Sequence, residues 1–159
     1  MKRILYCILI VAAWVVPTRP LELGKLKPVE VIRIEQNGDQ IVIETDTGDS
    51  GRGMTINQAI WNLRETTAGT VYLDTAEYIL IPKDETIAEQ ISPYLKNTVR
   101  LCNWEGEMKL EEVAQYLNAH KPRMVLKQYN VGMPLQTLVG ERGKFQLLEK
   151  NIEKREKTT

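Results

Sequence analysis

The chain has 159 residues, 43% of them hydrophobic and 26% charged, which is the composition of one globular domain with short appendages, long enough to enclose a core. Basic and acidic residues balance at 21 each, and Lys and Arg do not cluster along the folded part of the sequence. That balance gives no electrostatic case for nucleic acid, because phosphate binding needs a basic surplus on one face.

The first residues, Met1-Lys2-Arg3 followed by ILYCILIVAAWVV, combine a positive start with an apolar run, the pattern of an export signal. The run is about 13 residues, short of the ~20 that span a bilayer comfortably, and Pro17 stops it. No A-x-A site follows, so residues 1–17 read either as a cleaved signal peptide or as a retained membrane anchor; a buried core helix is the alternative. Cys7 lies too early to be a lipidation cysteine. Residues 18–28 carry Pro20 and Pro28 and read as an extended linker.

The main domain is expected over 29–148. VEVIRIEQ and QIVIETD are rich in β-branched residues and are separated by Asn37-Gly38-Asp39, whose Asn-Gly step suits a tight hairpin turn. Ile41, Ile43 and Thr45 share one face of the second strand. In the first strand Val31 and Ile32 are adjacent apolar residues, so either both faces are covered or the strand bulges.

Residues 46–53, from Asp46 to Gly53, then read as a flexible, glycine-punctuated loop leading to a helix. Two chemical readings compete there. Asp46-Thr47-Gly48 resembles an aspartic-protease loop, but two carboxylates must share a proton across a cleft, and tandem copies on one loop cannot face each other. Asp46 and Asp49 with Glu44 could also meet calcium, yet the further ligands and terminal Glu of an EF-hand are missing.

Thr55 and Gln58 fit a capping box, and Ile56, Ala59, Ile60 and Leu63 follow at helical spacing, with Trp61 and Arg64 on the other side and Ala68-Gly69 closing the helix. Short strands are expected over 70–74 and 77–81, joined by a turn or by a kink within one longer strand. Asp84 is placed to cap a helix with Ile87, Ile91 and Leu95 on one face, which Pro93 should end or bend. A strand over 99–103 and a helix carrying Leu110, Val113, Ala114 and Leu117 complete the unit. Strands alternating with helices after an antiparallel hairpin imply an α/β (α+β) fold: a mixed sheet with about three helices packed on it.

No catalytic constellation is present. Lone His120 follows the third helix with no nucleophile or acid suggested beside it. Cys102 reads as a small buried hydrophobe, and with neither a CxxC pair nor a Cys/His group there is no case for zinc. No cofactor is implied.

The glycine-rich loop, the T-x-x-x-A-x-x-x-L-R helix, the Y-I-L-I strand and the I-S-P-Y-L-K-N-T-V-R stretch together resemble the N-terminal domain of the spore-germination Ger(x)C family over about 29–120. The matching positions are Gly53, Thr55, Ala59, Leu63, Tyr72, Leu80, Ile81, Leu95 and Arg100. The resemblance implies an exported module without catalytic residues. This chain departs from it in lacking a lipidation cysteine and the family's large C-terminal part.

Beyond that region, residues 123–129 are a strand candidate. Residues 135–139 and 144–148 flank Gly140-Glu141-Arg142-Gly143 as a second hairpin with a four-residue loop. The charged tail, 149–159, reads as frayed or disordered. The expectation is a non-catalytic exported or membrane-anchored protein working through protein contacts in the envelope or spore. Trp61, Tyr78 and Trp104 are the contact candidates. The alternative is an extracytoplasmic module that binds a ligand or calcium through Asp46 and Asp49.

Overall fold

The structure, a computed structural model, describes residues 26–82, 86–107, 109–141 and 143–149. The expected leader, most of the linker, the Asp84 cap and the tail beyond 149 lie outside the described residues.

The described residues contain nine strands and three α-helices. The strands are β1 (Leu26–Pro28), β2 (Val31–Asn37), β3 (Gln40–Thr45), β4 (Ser50–Gly53), β5 (Thr70–Tyr72), β6 (Tyr78–Ile81), β7 (Arg100–Gly106), β8 (Thr137–Glu141) and β9 (Lys144–Leu148). The helices are α1 (Ile56–Thr66), α2 (Thr86–Ile91) and α3 (Leu110–Ala119). Seven strands form one mixed sheet in the order β4-β3-β2-β6-β7-β8-β9. Its centre, β2-β6-β7-β8, is parallel, and an antiparallel pairing flanks it on each side. The fold is therefore α+β, with helices packed on a mixed sheet.

Parallel strands are covered on both faces and read as continuous apolar runs. All four residues of β6, Tyr-Ile-Leu-Ile, are fully buried. Ile79 and Ile81 point into a core closed by α1 and α2, whereas Tyr78 and Leu80 point into a second core closed by α3. The same alternation answers the question raised by Val31 and Ile32. Val31 belongs to the α3 side, Ile32 to the other, and β2 pairs without a bulge.

The first hairpin turns one residue later than its Asn-Gly step suggests. Asn37 still pairs with Gln40, so the loop is Gly38-Asp39, with Gly38 at φ 63°. The second hairpin is also tighter than expected: Glu141 pairs with Lys144, leaving a two-residue loop.

Three local expectations are corrected and one open choice is resolved. The end of the predicted linker, Leu26–Pro28, is a strand lying parallel to β5 in a separate two-stranded sheet. Ser50–Gly53 is a strand and not a loop; it pairs antiparallel with β3, and only 46–49 turns. Residues 73–75 form a 3-10 turn that sends β5 and β6 into different sheets, so the turn expected between them holds and the single kinked strand does not. Finally, 123–129 is no strand: a single bridge at Val125 precedes a 3-10 turn over Leu126–Gln128.

The helices follow their apolar stripes. Ile56, Ala59, Ile60 and Leu63 are buried on α1, and Leu110, Val113, Ala114 and Leu117 on α3. Thr55 Oγ1 accepts the Gln58 amide at 3.3 Å, but Gln58 Oε1 accepts from Met54, one residue beyond the box partner, at 2.9 Å. Pro93 ends α2 as its ring requires, in a 3-10 turn over Ser92–Tyr94.

Helix α1 rests directly on β4. A β-carbon on Gly51 would stand 2.2 Å from the Ala59 carbonyl oxygen, and one on Gly53 would stand 2.5 Å from the Gln58 β-carbon. These two glycines, on one face of β4, are there for close approach and not for turning.

Candidate functional site

The 46–49 turn is tied down by its own polar groups. The Thr45 amide donates to the Asp49 carbonyl at 3.0 Å, and the Gly48 amide to the Thr45 carbonyl at 3.0 Å. Asp49 takes the Lys27 ammonium on both carboxylate oxygens at 3.1 Å and the Thr47 hydroxyl at 2.8 Å. The Asp46 carboxylate accepts the Glu30 amide at 3.1 and 3.3 Å. Burial pushes the Asp46 carboxyl above its ordinary value, and hydrogen bonds from backbone amides pull it partly back. Both aspartates thus pin the start of β2 and the linker strand β1 to the turn. Among the described residues, no group of three or more His, Cys, Asp or Glu side chains is placed to hold a metal ion.

Beside this turn a groove of about 470 Å³ runs between β3 and the start of α3, lined among others by Arg33, Glu44, Asp46, Lys109 and Glu111. Arg33 is one of the residues that line it. It is ion-paired with Glu44 across the hairpin and with Glu35 on its own strand, the latter at 3.2 Å. The Arg33–Glu44 pair escaped the sequence reading because it depends on hairpin register. Once Gly38-Asp39 is taken as the turn, the two residues stand directly opposite.

The three aromatic contact candidates separate sharply. Trp61 is 65% exposed on the outer face of α1, and Met54 just before that helix is 70% exposed. Tyr78 and Trp104 are buried in the α3-side core, which removes both as surface contacts. Their aromatic character serves packing on strands covered from both sides.

His120 ends α3, exposed, with its ring stacked on Tyr116 at a centroid distance of 4.4 Å. Cys102 is fully buried on β7, and burial pushes its thiol up to about 12, which leaves it no reactive thiolate at neutral pH.

The fold does create the basic clustering that the linear sequence lacks. Residues 92–100 and 120–130 contain Lys96, Arg100, Lys121, Arg123 and Lys127 and no Asp or Glu. The two segments zip together antiparallel. Arg100 bridges Val125, the Leu126 amide donates to the Val99 carbonyl at 2.8 Å, and the Lys127 amide donates to the Asn97 carbonyl at 3.1 Å. Arg100 is steadied by a 2.7 Å bond from its guanidinium to the Pro122 carbonyl. A cleft of about 290 Å³ opens here, lined by Lys96, Arg100, Lys121, Thr75, Thr98 and Glu77 among others.

Among the described residues no helix is long and apolar enough to cross a membrane. No protein-family model, no curated protein and no solved structure matches the chain.

Proposed function

We propose that this is a non-catalytic protein of the cell envelope or spore, exported or membrane-anchored through residues 1–17, that works by binding another protein through the outer face of α1. The observation that carries this reading is the exposure of Trp61 together with Met54. A tryptophan offers one of the largest apolar surfaces a side chain can bury, and Trp and Met are enriched in the cores of protein interfaces. Around Trp61 the helix presents Asn57, Gln58, Arg64 and Glu65, all exposed, so the patch has an apolar centre and a polar rim. The rim is partly fixed, because the Tyr94 hydroxyl is hydrogen-bonded to Asn57. The resemblance to the Ger(x)C N-terminal domain supports a place in spore germination.

The test is in-cell crosslinking of the full chain, comparing native protein with Trp61→Ala. Loss of a discrete crosslinked species in the variant, with an unchanged melting temperature, supports the reading. An identical crosslinking pattern would remove α1 as the contact face. Fractionation with mass spectrometry of the N-terminus tests the location: recovery in the cytoplasm with an intact leader would overturn it.

A further inference from the structure

We infer that β9, the outer strand of the large sheet, pairs antiparallel with β9 of a second copy of this chain, joining two sheets edge to edge about a two-fold axis at Gln146.

The two edges of the sheet are finished differently. At β4, side chains of α1 occupy the outward backbone groups. The Arg52 amide donates to Asn62 Oδ1 at 3.0 Å, and the Thr66 hydroxyl donates to the Ser50 carbonyl at 3.4 Å. At the other edge stands β9, and among the described residues no side chain caps it in this way. An uncapped strand edge is a template for a further strand.

The hairpin decides which groups of β9 face outward. Glu141 and Lys144 pair directly across a two-residue loop. Residues flanking such a loop exchange both ladder bonds, and bonding then alternates along the strand. Lys144, Gln146 and Leu148 therefore bond to β8, whereas the amides and carbonyls of Phe145 and Leu147 point away from the sheet.

Self-complementarity selects a second copy as the occupant. A two-fold axis perpendicular to the sheet keeps each residue and its copy on the same face, so it must pass between two copies of one residue. Centred on Gln146, it sets Phe145 opposite the partner's Leu147 and Leu147 opposite the partner's Phe145. Four hydrogen bonds then use every outward amide and carbonyl of these residues. Both side chains already lean on the α3-side core, Phe145 with its ring centroid 5.3 Å from that of Tyr116, so the pairing extends this core across the join. On the other face Leu148, 42% exposed, meets the partner's Lys144, whose alkyl stem covers it.

Charge agrees with this register. Strand β9 opens with Lys144 and is followed by Glu149, so antiparallel pairing brings unlike ends together, and no like charges face each other along the strand. Glu149 is also paired within its own chain, with Arg123 at 2.6 Å. The neighbouring symmetric registers lose the match. Centring on Leu147 sets Phe145 against the partner's Glu149, and centring on Phe145 sets Leu147 against the partner's Gly143. Helix α1 rests on β4 at the opposite edge, so the pairing leaves Trp61 exposed on each copy.

The test uses the full chain in mild detergent with Cys7→Ser, which leaves the buried Cys102 as its only thiol. Gln146→Cys places two thiols across the axis with α-carbons about 4.5 Å apart, within disulfide reach. Lys144→Cys places them roughly 14 Å apart, out of reach. Mild oxidation with copper phenanthroline should convert the first to a covalent dimer and leave the second monomeric on a non-reducing gel. Gln146 is exposed, so Gln146→Lys should keep the native melting temperature. It sets two ammonium groups face to face and should weaken dimerisation about fivefold in sedimentation equilibrium.

Equal crosslinking of the two cysteine variants overturns the proposal, because it marks random collision. Absence of a Gln146→Cys dimer overturns it too, as does a native chain that stays monomeric at every concentration or a Gln146→Lys variant that dimerises as the native chain does. None of these outcomes touches the Trp61 crosslinking result, so the two readings fail separately.

Discussion

Gly51 lies so close beneath Leu63 that a β-carbon added to it would stand 2.6 Å from the Leu63 β-carbon and 2.5 Å from the Leu63 amide nitrogen. The obstacle is helix backbone, which cannot swing aside as a flexible side chain can. Gly51→Ala should therefore force α1 off the sheet edge and cost about 3 kcal/mol. Gly48 is the comparison. It has φ 81° with open space around it, so Gly48→Ala should cost only the left-handed strain, about 1 kcal/mol. Urea titrations of the two variants give the order; equal midpoints would mean that α1 does not rest on β4 as described.

Leu63 carries the same contact from the helix side, fully buried in the larger core. Leu63→Ala should cost about 3 kcal/mol through lost burial and the cavity left behind. Leu63→Asp should leave no cooperative melt, because an unpaired charge would be buried. A cooperative melt retained by Leu63→Asp would show that this face of α1 is not against the core.

Tyr78 is fully buried at the start of β6, and its hydroxyl has no hydrogen-bond partner among the described residues. An unpartnered buried hydroxyl costs free energy in the folded state. Tyr78→Phe keeps the ring and removes that cost, so it should stabilise by about 1 kcal/mol, read as a raised urea midpoint. A loss of stability would reveal a polar partner for the hydroxyl.

Asp46 sets a pH dependence. Burial is the main cause of its raised pKa, so in acid the folded state holds the proton more tightly than the unfolded chain does. The sign follows: this group's contribution favours folding below its ordinary value of 3.8 and is lost as pH rises from there through the raised folded value. Asp46→Asn removes the ionisation and still offers an oxygen to the Glu30 amide. Melting temperatures followed from acid to neutral pH should therefore fall less steeply with rising pH in the variant than in the native protein. Parallel profiles would show that Asp46 titrates alike in both states.

Cys102 should ignore thiol reagents at neutral pH while the protein is folded, since its thiol is enclosed and its pKa is pushed up to about 12. Alkylation followed by peptide mapping separates it from Cys7. Modification of Cys102 at the rate of the denatured chain would contradict its burial.

Much of the local structure is legible in the sequence because it is written at short range. The stripes of α1 and α3 obey helical spacing, and the first hairpin announces itself by β-branched runs around glycine. What escaped is long-range or depends on absent side chains. Ser50-Gly-Arg-Gly53 has no β-branched residue, and its glycines read as flexibility when they are the contact surface for a helix. Tyr78 and Trp104 look like surface aromatics until β6 and β7 are known to lie inside a sheet covered on both faces. Along the chain, the basic segments around Lys96 and Lys121 are separated by the Glu-rich stretch 105–112, and backbone pairing around Arg100 and Val125 sets them side by side. Arg33 and Glu44 stayed hidden for a smaller reason: one residue of error in the turn moves every cross-strand partner.

The two sides of β2 also differ in when they can be completed during synthesis. Its antiparallel neighbour β3 follows almost at once, but its parallel neighbour must wait until Tyr78 to Ile81 have left the ribosome. At roughly 5–20 residues per second, that interval lasts a few seconds. For those seconds the nascent hairpin offers an unpaired apolar border to whatever is nearby, a hazard for aggregation. A chaperone that shields extended apolar segments would raise yield most in this window, and a slower codon run after Thr45 would lower it.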